Sequence, residues 1–514
     1  MSVKKLIFLG VVGLVILFTS VAKAAPVLIE VNLESKAEFE YAKGLELSAW
    51  ARWGNTFVVE TEEEILSLLQ EQGIKVEVLA RFPEKEKNYL LSPHPGIRPS
   101  KAANIIDRPV LSRTDQYFAQ LDKQGLEMME QNGYVALEIG VKTIPLTYLE
   151  PIQVKPSSGA AADWIQDLVD QVSQDSLFSY NQRLQNFQTR YSHSDSIASA
   201  RQWLVDKFTS FGIDSVYLDH FFYDSDQWNV VATVPGTVEP DVLIVVGGHY
   251  DSVTYGQSPG PLTYAPGADD NGSGTAATLE IARIIAANPL PQTVLFVPFA
   301  QEEQGLHGSA AFADEAFAKG LKIRFMLNMD MIGYKYNSSQ VWLLHDPPSQ
   351  PIADLMVNLA STYAGLTGNK SSASGNSDHW PFMQKGYQAV FAHEYIFNSQ
   401  GWHKNTDVTD SMNFEYMTKV AKLGLATIAS LSQSSCADYA GDLNGNSGIS
   451  LGDAIHLINY IFNRPGNWSI DPLCRGDVNA SGTLSLGDVI YLVNFIFGKP
   501  GNWTPVPSGS CCLL

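Results

Sequence analysis

Residues 242–251 read VLIVVGGHYD: five aliphatic residues in a row, then two glycines, a histidine, a tyrosine and an aspartate. A short apolar run closed by glycine predicts a buried strand. Similar runs recur along the chain, at residues 230–234, 293–298, 325–329, 341–344 and 388–392. Helical patterns such as 194–211 and 273–287 lie among them, which is typical of a layered α/β domain. We predict a three-layer α/β/α domain over residues 163–432, with a mixed, mostly parallel sheet.

Side chains able to bind a metal follow three of these strands. His249 and Asp251 come after the strand at 242–246, and Asp330 ends the strand at 325–329. Glu302 and Glu303 follow the strand at 293–298. In open α/β sheets, ligands collect beyond the carboxyl ends of the strands, so we expect these groups to meet there.

Two loops add further candidates. Residues 266–274, PGADDNGSG, form a glycine-rich turn that leads into a helix and carries Asp269 and Asp270. Residues 401–407, GWHKNTD, supply His403. From the residues alone, either aspartate of the first loop could bridge two metal ions.

These five motifs, in this order, resemble the aminopeptidase and glutamate-carboxypeptidase-like zinc exopeptidases over about residues 165–432. The resemblance implies two zinc ions in each catalytic domain. It favours Asp270 over Asp269 as the bridging carboxylate. The implied ligands are His249 and Asp330 for one zinc, and Glu303 and His403 for the other, while Glu302 is the implied general base and Asp251 the residue that orients His249.

The residue types suit that chemistry. Two zinc ions carry four positive charges, and three of the implied ligands are carboxylates, so the site approaches neutrality. A carboxylate next to the ions but not bound to them can move a proton. The sequence therefore predicts a zinc aminopeptidase acting on peptide substrates. A carboxypeptidase, a glutaminyl-cyclase-like enzyme, and an inert binding or attachment protein stay open as alternatives.

A further segment resembles a family motif near the site. Residues 377–379 read Ser-Asp-His. We predict that Asp378, His379 and Tyr395 contact the metal ligands without binding the metal, or have a structural role. Residues 371–376 lack the tyrosine that some secreted members carry there. His379, Tyr395 and the metal ions are then the candidates for stabilising the transition-state oxyanion.

The first 24 residues predict an export signal, since two lysines, an apolar run over 6–18 and Ala-Lys-Ala at 22–24 follow one another. We therefore expect a secreted, extracellular protein whose mature chain has no membrane span. Residues 25–150 predict a small α+β region, with strands at 27–31 and 56–60 and helices at 61–72 and 113–132. This region is either propeptide-like or an accessory part of the catalytic domain. Residues 151–162 are a predicted linker.

The tail contains an internal repeat. After a linker at 433–441, residues 442–462 read DLNGNSGISLGDAIHLINYIF and residues 477–497 read DVNASGTLSLGDVIYLVNFIF. Residues 442–505 resemble a dockerin module, a small all-α pair of calcium loops. Oxygen-bearing side chains at these spacings suit Ca²⁺. The predicted ligands are Asp442, Asn444, Asn446, Asp453, Asp477, Asn479, Ser481 and Asp488. Such a module would have a cohesin-like or cell-surface partner, or would act as a calcium-stabilised cap without one.

Charge and cysteine content narrow the choice of function. The net charge is -20, which argues against a nucleic-acid-binding protein because a basic face that neutralises phosphates could not easily be assembled. All four cysteines lie after the predicted central domain, at Cys436, Cys474, Cys511 and Cys512. That domain therefore has no thiol for catalysis. In an exported protein we expect disulfides among them. The last two belong to a cysteine-containing tail at 506–514.

Overall fold

The structure is a computed structural model. It describes residues 26–81, 88–93, 117–121, 126, 129, 134–139, 144, 146 and 160–433, and in the tail residues 441, 443, 449–466, 468, 470, 476–479, 484–499 and 501. The predicted signal peptide, the four cysteines and most of both predicted linkers lie outside these residues.

The N-terminal region contains two antiparallel sheets. The first has the order β2-β3-β1-β4 and carries helices α1 and α2. The second has the order β6-β5-β7. The bounds are β1 Pro26–Asn32, α1 Lys36–Gly44, β2 Ser48–Trp53, β3 Thr56–Glu62, α2 Glu63–Glu71, β4 Lys75–Arg81, β5 Asn88–Pro93, β6 Tyr117–Gln120 and β7 Tyr134–Ile139.

The central region is built on an eight-stranded mixed sheet of order β14-β13-β15-β12-β10-β11-β9-β8. The strands β10, β11, β12 and β15 at its centre pair in parallel. The bounds are β8 Ser215–Phe222, β9 Asp226–Val234, β10 Glu239–His249, β11 Gln292–Phe299, β12 Lys322–Met329, β13 Gln340–His345, β14 Thr367–Ser372 and β15 Ala389–Glu394. Parallel pairing brings the carboxyl ends of these central strands to one edge.

Helices cover this sheet and bury it in two apolar clusters. Helix α6 is buried except at Arg283, Ala286 and Ala287, and it packs against the central strands with its alanine and isoleucine side chains. The helices are α3 Ala160–Val169, α4 Gln174–Gln185, α5 Ser196–Ser210, α6 Gly272–Ala287, α7 His307–Ala318, α8 Gln350–Leu359, α9 His379–Lys385 and α10 Phe414–Gln433.

The predicted fold class is confirmed. Each predicted central strand appears, and β8 and β14, at the two edges of the sheet, were missed. Five of the eight residues of β8 are exposed, so this strand lacks the buried apolar run on which the prediction relied. Helix α3 begins at Ala160, inside the predicted linker.

Two N-terminal predictions were wrong. The helix predicted at 61–72 does not begin at Thr61, because Thr61 continues the pairing of β3 with β1 opposite Val27. The helix therefore starts at Glu63. Residues 117–120 of the predicted helix at 113–132 form β6, which pairs with β5. Leu126 and Met129, further along, are helical.

In the tail, the two repeats each form one described helix, α11 Leu451–Ile461 and α12 Leu486–Ile496. They pack against each other around Leu457 and Leu492. In the parts of the chain that the structure describes, no helix is both long and apolar enough to cross a membrane.

Candidate active site

The end of β10 places the first histidine of the site. His249 is the last residue of the strand and is 1% exposed. Its Nε2 atom lies 3.3 Å from Asp270 Oδ1 and 3.5 Å from Asp330 Oδ1. These three side chains form one group whose ligand-type atoms lie within 4.8 Å of one another.

A second group shares Asp270 with the first. His403 Nε2 lies 2.9 Å from Glu303 Oε2 and 3.4 Å from Asp270 Oδ2. The two oxygens of Asp270 therefore face two different imidazoles. Asp270, Glu303 and His403 likewise fit within 4.8 Å. The arrangement is that of two neighbouring sites with one bridging carboxylate.

The neighbouring Asp269 has a different environment. It is fully buried, and its carboxylate accepts hydrogen bonds from Gly333 N at 2.9 Å and Asn398 Nδ2 at 3.0 Å. Its oxygens are thus directed away from both histidines. Of the two aspartates that the sequence left open, the geometry favours Asp270 as the bridge.

Asp251 has more partners than the sequence indicated. Its carboxylate lies 3.5 Å from His249 Nδ1, which is also 3.2 Å from the Asp251 carbonyl oxygen. The carboxylate also accepts hydrogen bonds from the backbone N–H groups of Glu302 at 3.1 Å and Glu303 at 3.3 Å. Asp251 therefore positions both the histidine and the two glutamates.

Glu302 lies beside the first group. Its Oε2 atom is 3.8 Å from His249 Nε2, and the side chain lines a cavity next to the site. Burial, reinforced by the charge of Glu303, raises the pKa of the Glu302 carboxyl well above its usual value, although His249 opposes this. A carboxyl group next to the ligand clusters but outside them suits proton transfer.

A tight turn holds Asp270 in place. Asn271 caps helix α6 by accepting a hydrogen bond from Gly274 N at 2.8 Å. Its amide nitrogen donates to the Met329 carbonyl at the end of β12. A Cβ at Gly274 would overlap that carbonyl, so only glycine lets the helix start approach the strand end so closely.

Sequence reasoning missed Asp407. Its buried carboxylate accepts hydrogen bonds from Asp269 N at 3.0 Å and Asp270 N at 2.9 Å. Asp407 follows His403 by four residues in the same loop, and that spacing is the signal that could have revealed it. It ties the second histidine loop to the bridging aspartate.

Arg190 was also missed. The side chain is fully buried and donates hydrogen bonds to four carbonyl oxygens, including those of Tyr250 at 2.8 Å and Gly267 at 2.7 Å. Burial lowers the pKa of Arg190 to about 10, and nearby Asp407 opposes the shift. Nothing in the local sequence distinguishes this arginine, because its partners are carbonyls from distant segments.

The three predicted supporting residues lie around β15. His379 is buried, with its ring stacked on Phe391, and burial lowers its pKa to about 3. Burial raises the pKa of Asp378 to about 7. The ring of Tyr395 stacks on Trp342. Among the described residues that line the cavity, these three do not appear.

The site is electrostatically unbalanced when only protein groups are counted. Burial raises the pKa of Glu303 well above its usual value, and the charge of Asp270 adds to this. Burial alone would lower the pKa of His249, but Glu302 and Asp330 raise it well above its usual value. Crowded acids of this kind call for cations among them.

The same groups fit zinc. Glu303 Oε1 and Asp330 Oδ1 are buried oxygens that accept no hydrogen bond from any described residue. Buried polar atoms are normally paired, so free carboxylate oxygens next to imidazole nitrogens mark a place for a metal ion. Imidazole and carboxylate are the ligand types that zinc takes in catalytic sites.

The predicted calcium ligands are partly described. Asp442, Asn444, Asn446 and Ser481 lie outside the described residues. Asp453 and Asp488 are fully buried, and each completes a capping box with the serine three residues before it. Asp477 is also buried, and Asn479 donates its backbone N–H to Asp488 at 3.4 Å.

Two clusters of histidine and carboxylate that share one aspartate, at the carboxyl edge of an α/β sheet, define a metal-dependent hydrolase. The model of peptidase family M28 matches residues 229–428, which hold all five residues of the two clusters. The chain belongs to this family, whose members are zinc metallopeptidases.

Two curated relatives carry this assignment. A probable leucine aminopeptidase of Arthroderma otae is 30% identical over 292 residues, which span 54% of this chain and 77% of the relative. A probable zinc metalloprotease of Pyrenophora teres f. teres is 31% identical over 321 residues, 53% of this chain and 68% of the relative.

Among solved structures, the LapA aminopeptidase of Legionella pneumophila superposes with a TM-score of 0.50 at 16% identity. The match covers 79% of this chain and 98% of that one. It supports the fold.

Proposed function

We propose that this chain is a di-zinc aminopeptidase that removes the first residue from peptides. The observation that carries the proposal is the position of Asp270, whose two oxygens lie 3.3 and 3.4 Å from the Nε2 atoms of His249 and His403. The names of the two relatives, a leucine aminopeptidase and a zinc metalloprotease, support the reaction and the metal.

The ligands divide naturally between two ions. His249 and Asp330 would hold one zinc, Glu303 and His403 the other, and Asp270 would bind both. When bound, the ions supply positive charge that polarises the scissile carbonyl and lowers the pKa of water.

The chain's own residues supply the proton path. Glu302 takes a proton from the attacking water, whose oxygen forms a bond to the carbonyl carbon. The same carboxyl group then gives the proton to the leaving amine as the carbon–nitrogen bond breaks. Asp251 accepts hydrogen bonds from the backbone N–H groups of Glu302 and Glu303, so the Glu302 carboxyl group stays beside the reacting bond.

The test is hydrolysis of leucine p-nitroanilide by the zinc-loaded protein. Glu302→Gln removes the proton carrier but preserves size, so we expect kcat to fall by about 10²- to 10⁴-fold. Zinc content should stay at two ions per chain, as measured by elemental analysis. Glu415→Gln, the same change on the exposed surface of α10, is the matched control and should keep full activity. Activity of Glu302→Gln close to that of the control would refute the proposal.

For the tail we propose a calcium-binding, dockerin-like module. Support comes from the repeated ligand pattern and from the matching capping boxes at Asp453 and Asp488. Removal of calcium should lower the helix signal of the tail in circular dichroism, and Asp488→Asn should weaken the response. Export of the protein, the domain limits given above and a cohesin-like or cell-surface partner remain predictions from the sequence.

A further inference from the structure

The N-terminal region and the catalytic region share one apolar core. Leu28, Ala51 and Val58 of the first sheet belong to the same buried cluster as Trp380, Phe382 and Met383 of helix α9. Burial of this kind is the main favourable term in holding two surfaces together. The N-terminal sheet thus packs on the catalytic region through a shared apolar core, as the helices of the catalytic region pack on the central sheet.

Specific polar contacts fix the position of the N-terminal sheet. The amide of Gln384 on α9 accepts a hydrogen bond from Arg52 N at 2.8 Å and donates one to Arg52 O at 2.5 Å. Arg52 itself is fully buried, and its guanidinium donates to the Gly54 carbonyl. Gly54 has a φ of +62°, and a Cβ there would press on Pro348. The Gln384 pair and the close approach of Gly54 to Pro348 constrain strand β2 against the catalytic region, while the Arg52 guanidinium holds the turn after β2.

This docking leaves a cavity of about 670 Å³ beside the active site. Its lining on the catalytic side includes Asp270, Glu302 and His403. Its lining on the N-terminal side includes Trp50 and Tyr134. The N-terminal region therefore leaves the site open, and it contributes part of the surface that a substrate would meet.

The size and lining of the cavity indicate what it holds. Pockets of about 300–1,000 Å³ enclose drug-sized molecules, which corresponds to a peptide of a few residues. Tyr223 and Tyr255 line the cavity but are 58% and 50% exposed, so they mark its rim. Aromatic and aliphatic lining favours apolar side chains in the bound peptide.

We infer that the N-terminal region forms the far wall of the substrate cavity and makes the full chain selective for short peptides. This inference rests on the proposed aminopeptidase function. A long peptide would have to displace Trp50, or turn toward the rim at Tyr223 and Tyr255, to bring its first bond to Glu302. Its transition state is therefore bound less well than that of a tripeptide.

The test uses the full-length, zinc-loaded chain and a peptide ladder. The peptides share Leu-Ala at the amino terminus and extend from a tripeptide to a decapeptide. We expect kcat/KM to fall by about tenfold or more along the ladder. Trp50→Ala removes the indole from the wall. The ratio of kcat/KM for the tripeptide to kcat/KM for the decapeptide should then fall to about two, mainly because KM for the long peptides is lower.

Tyr41→Ala is the matched control, because Tyr41 packs on the separate N-terminal core and does not belong to the cavity lining. It should leave the length dependence unchanged. Thermal unfolding shows whether each variant is folded. If Trp50→Ala unfolds, Trp50→Leu, which retains an apolar side chain, takes its place.

The outcomes separate the inference from the function. If leucine p-nitroanilide is hydrolysed but all peptide lengths react equally, the wall is refuted and the aminopeptidase stands. If only Trp50→Ala is active, the N-terminal region is a plug and the inference is also refuted. If no zinc-loaded form hydrolyses the anilide or any peptide, the aminopeptidase proposal fails and the length limit falls with it.

Discussion

At the scale of single residues, Asp407 shows how a group outside both ligand clusters can hold a ligand in position. Its carboxylate accepts the backbone N–H groups of Asp269 and Asp270, so it sets the position of the bridging aspartate. Residues that orient metal ligands in this way typically contribute about 10- to 100-fold to metal affinity or activity.

We therefore predict that Asp407→Asn lowers zinc affinity by about 10- to 100-fold. The amide keeps one oxygen acceptor, but its NH₂ group now faces a backbone N–H. Competition with a fluorescent zinc chelator measures the effect. Asp410→Asn, on the exposed surface of the same loop, is the control. Equal affinity in the two variants would contradict the role given to Asp407.

His379 leads to a pH prediction at the same scale. Burial lowers its pKa to about 3 in the folded protein, whereas an unfolded histidine titrates near about 6.5. Between these values the unfolded state binds a proton that the folded state does not. The free energy of unfolding must then rise with pH over this range. The contribution of His379 is fully present above about 6.5 and is lost as the pH falls below that value.

The contribution of His379 to this slope approaches about 1.4 kcal/mol per pH unit. We predict that His379→Phe and His379→Gln both flatten the acid limb of stability, since neither side chain can be protonated. Urea unfolding at pH values from neutral to about 5, in saturating zinc, measures the slope. A slope that is unchanged in both variants would show that this histidine is protonated in the folded state.

At the scale of elements, the site depends on how strand ends and loops are tied together. Arg190, just before α5, donates to the carbonyls of Leu184, Tyr250, Pro266 and Gly267. It thereby connects the end of β10, which carries His249, with the loop that carries Asp270. Its charge also lies among the buried carboxylates of the site.

We predict that Arg190→Met destabilises the protein by about 3–5 kcal/mol, because it leaves buried carbonyls unpaired and removes a buried cation from its partners. The midpoint of urea unfolding measures this loss. Arg183→Met is the matched control: Arg183 is exposed and lies over the Phe187 ring, so its loss should cost about 0.5–1 kcal/mol. A similar small cost for Arg190→Met would mean that water replaces the guanidinium.

At the scale of the whole molecule, metal binding and folding are linked. The two clusters gather several carboxylates in a buried space, which favours the unfolded chain until cations balance them. Zinc present at 100 times its dissociation constant would add about 2.7 kcal/mol to the free energy of unfolding.

We predict that a chelator lowers the unfolding temperature by roughly 5–10 °C, at about 2–4 °C for each kcal/mol in a domain of this size. Added zinc should restore it, and differential scanning fluorimetry follows both steps. Glu303→Gln removes one ligand and should lose much of the zinc response. An unfolding temperature that is independent of zinc in the unaltered chain would mean that the clusters do not bind the metal.

The sequence by itself determined the central strands, the order of the five motifs and hence the family. Apolar runs such as 242–246 identify buried strands because burial on both faces leaves no place for polar residues. The residues of both clusters could be named as candidates because they directly follow those strands or lie in the loops 266–274 and 401–407, and the family resemblance then implied their roles. The edge strand β8 could not be predicted, since its exposed side chains lack such a pattern.

Only the tertiary structure shows which aspartate of residues 269 and 270 faces both histidines, because neighbours in sequence point in different directions once the turn is folded. It also revealed what Asp407 contacts, since its partners are backbone N–H groups of the distant residues Asp269 and Asp270. Three of the four carbonyl partners of Arg190 likewise come from distant segments, and they leave no mark on the sequence around it. The position of Trp50 in the lining of the active-site cavity also depends on packing between segments that are far apart in the sequence. Contacts between remote segments arise from packing, and a linear pattern records only the neighbours along the chain.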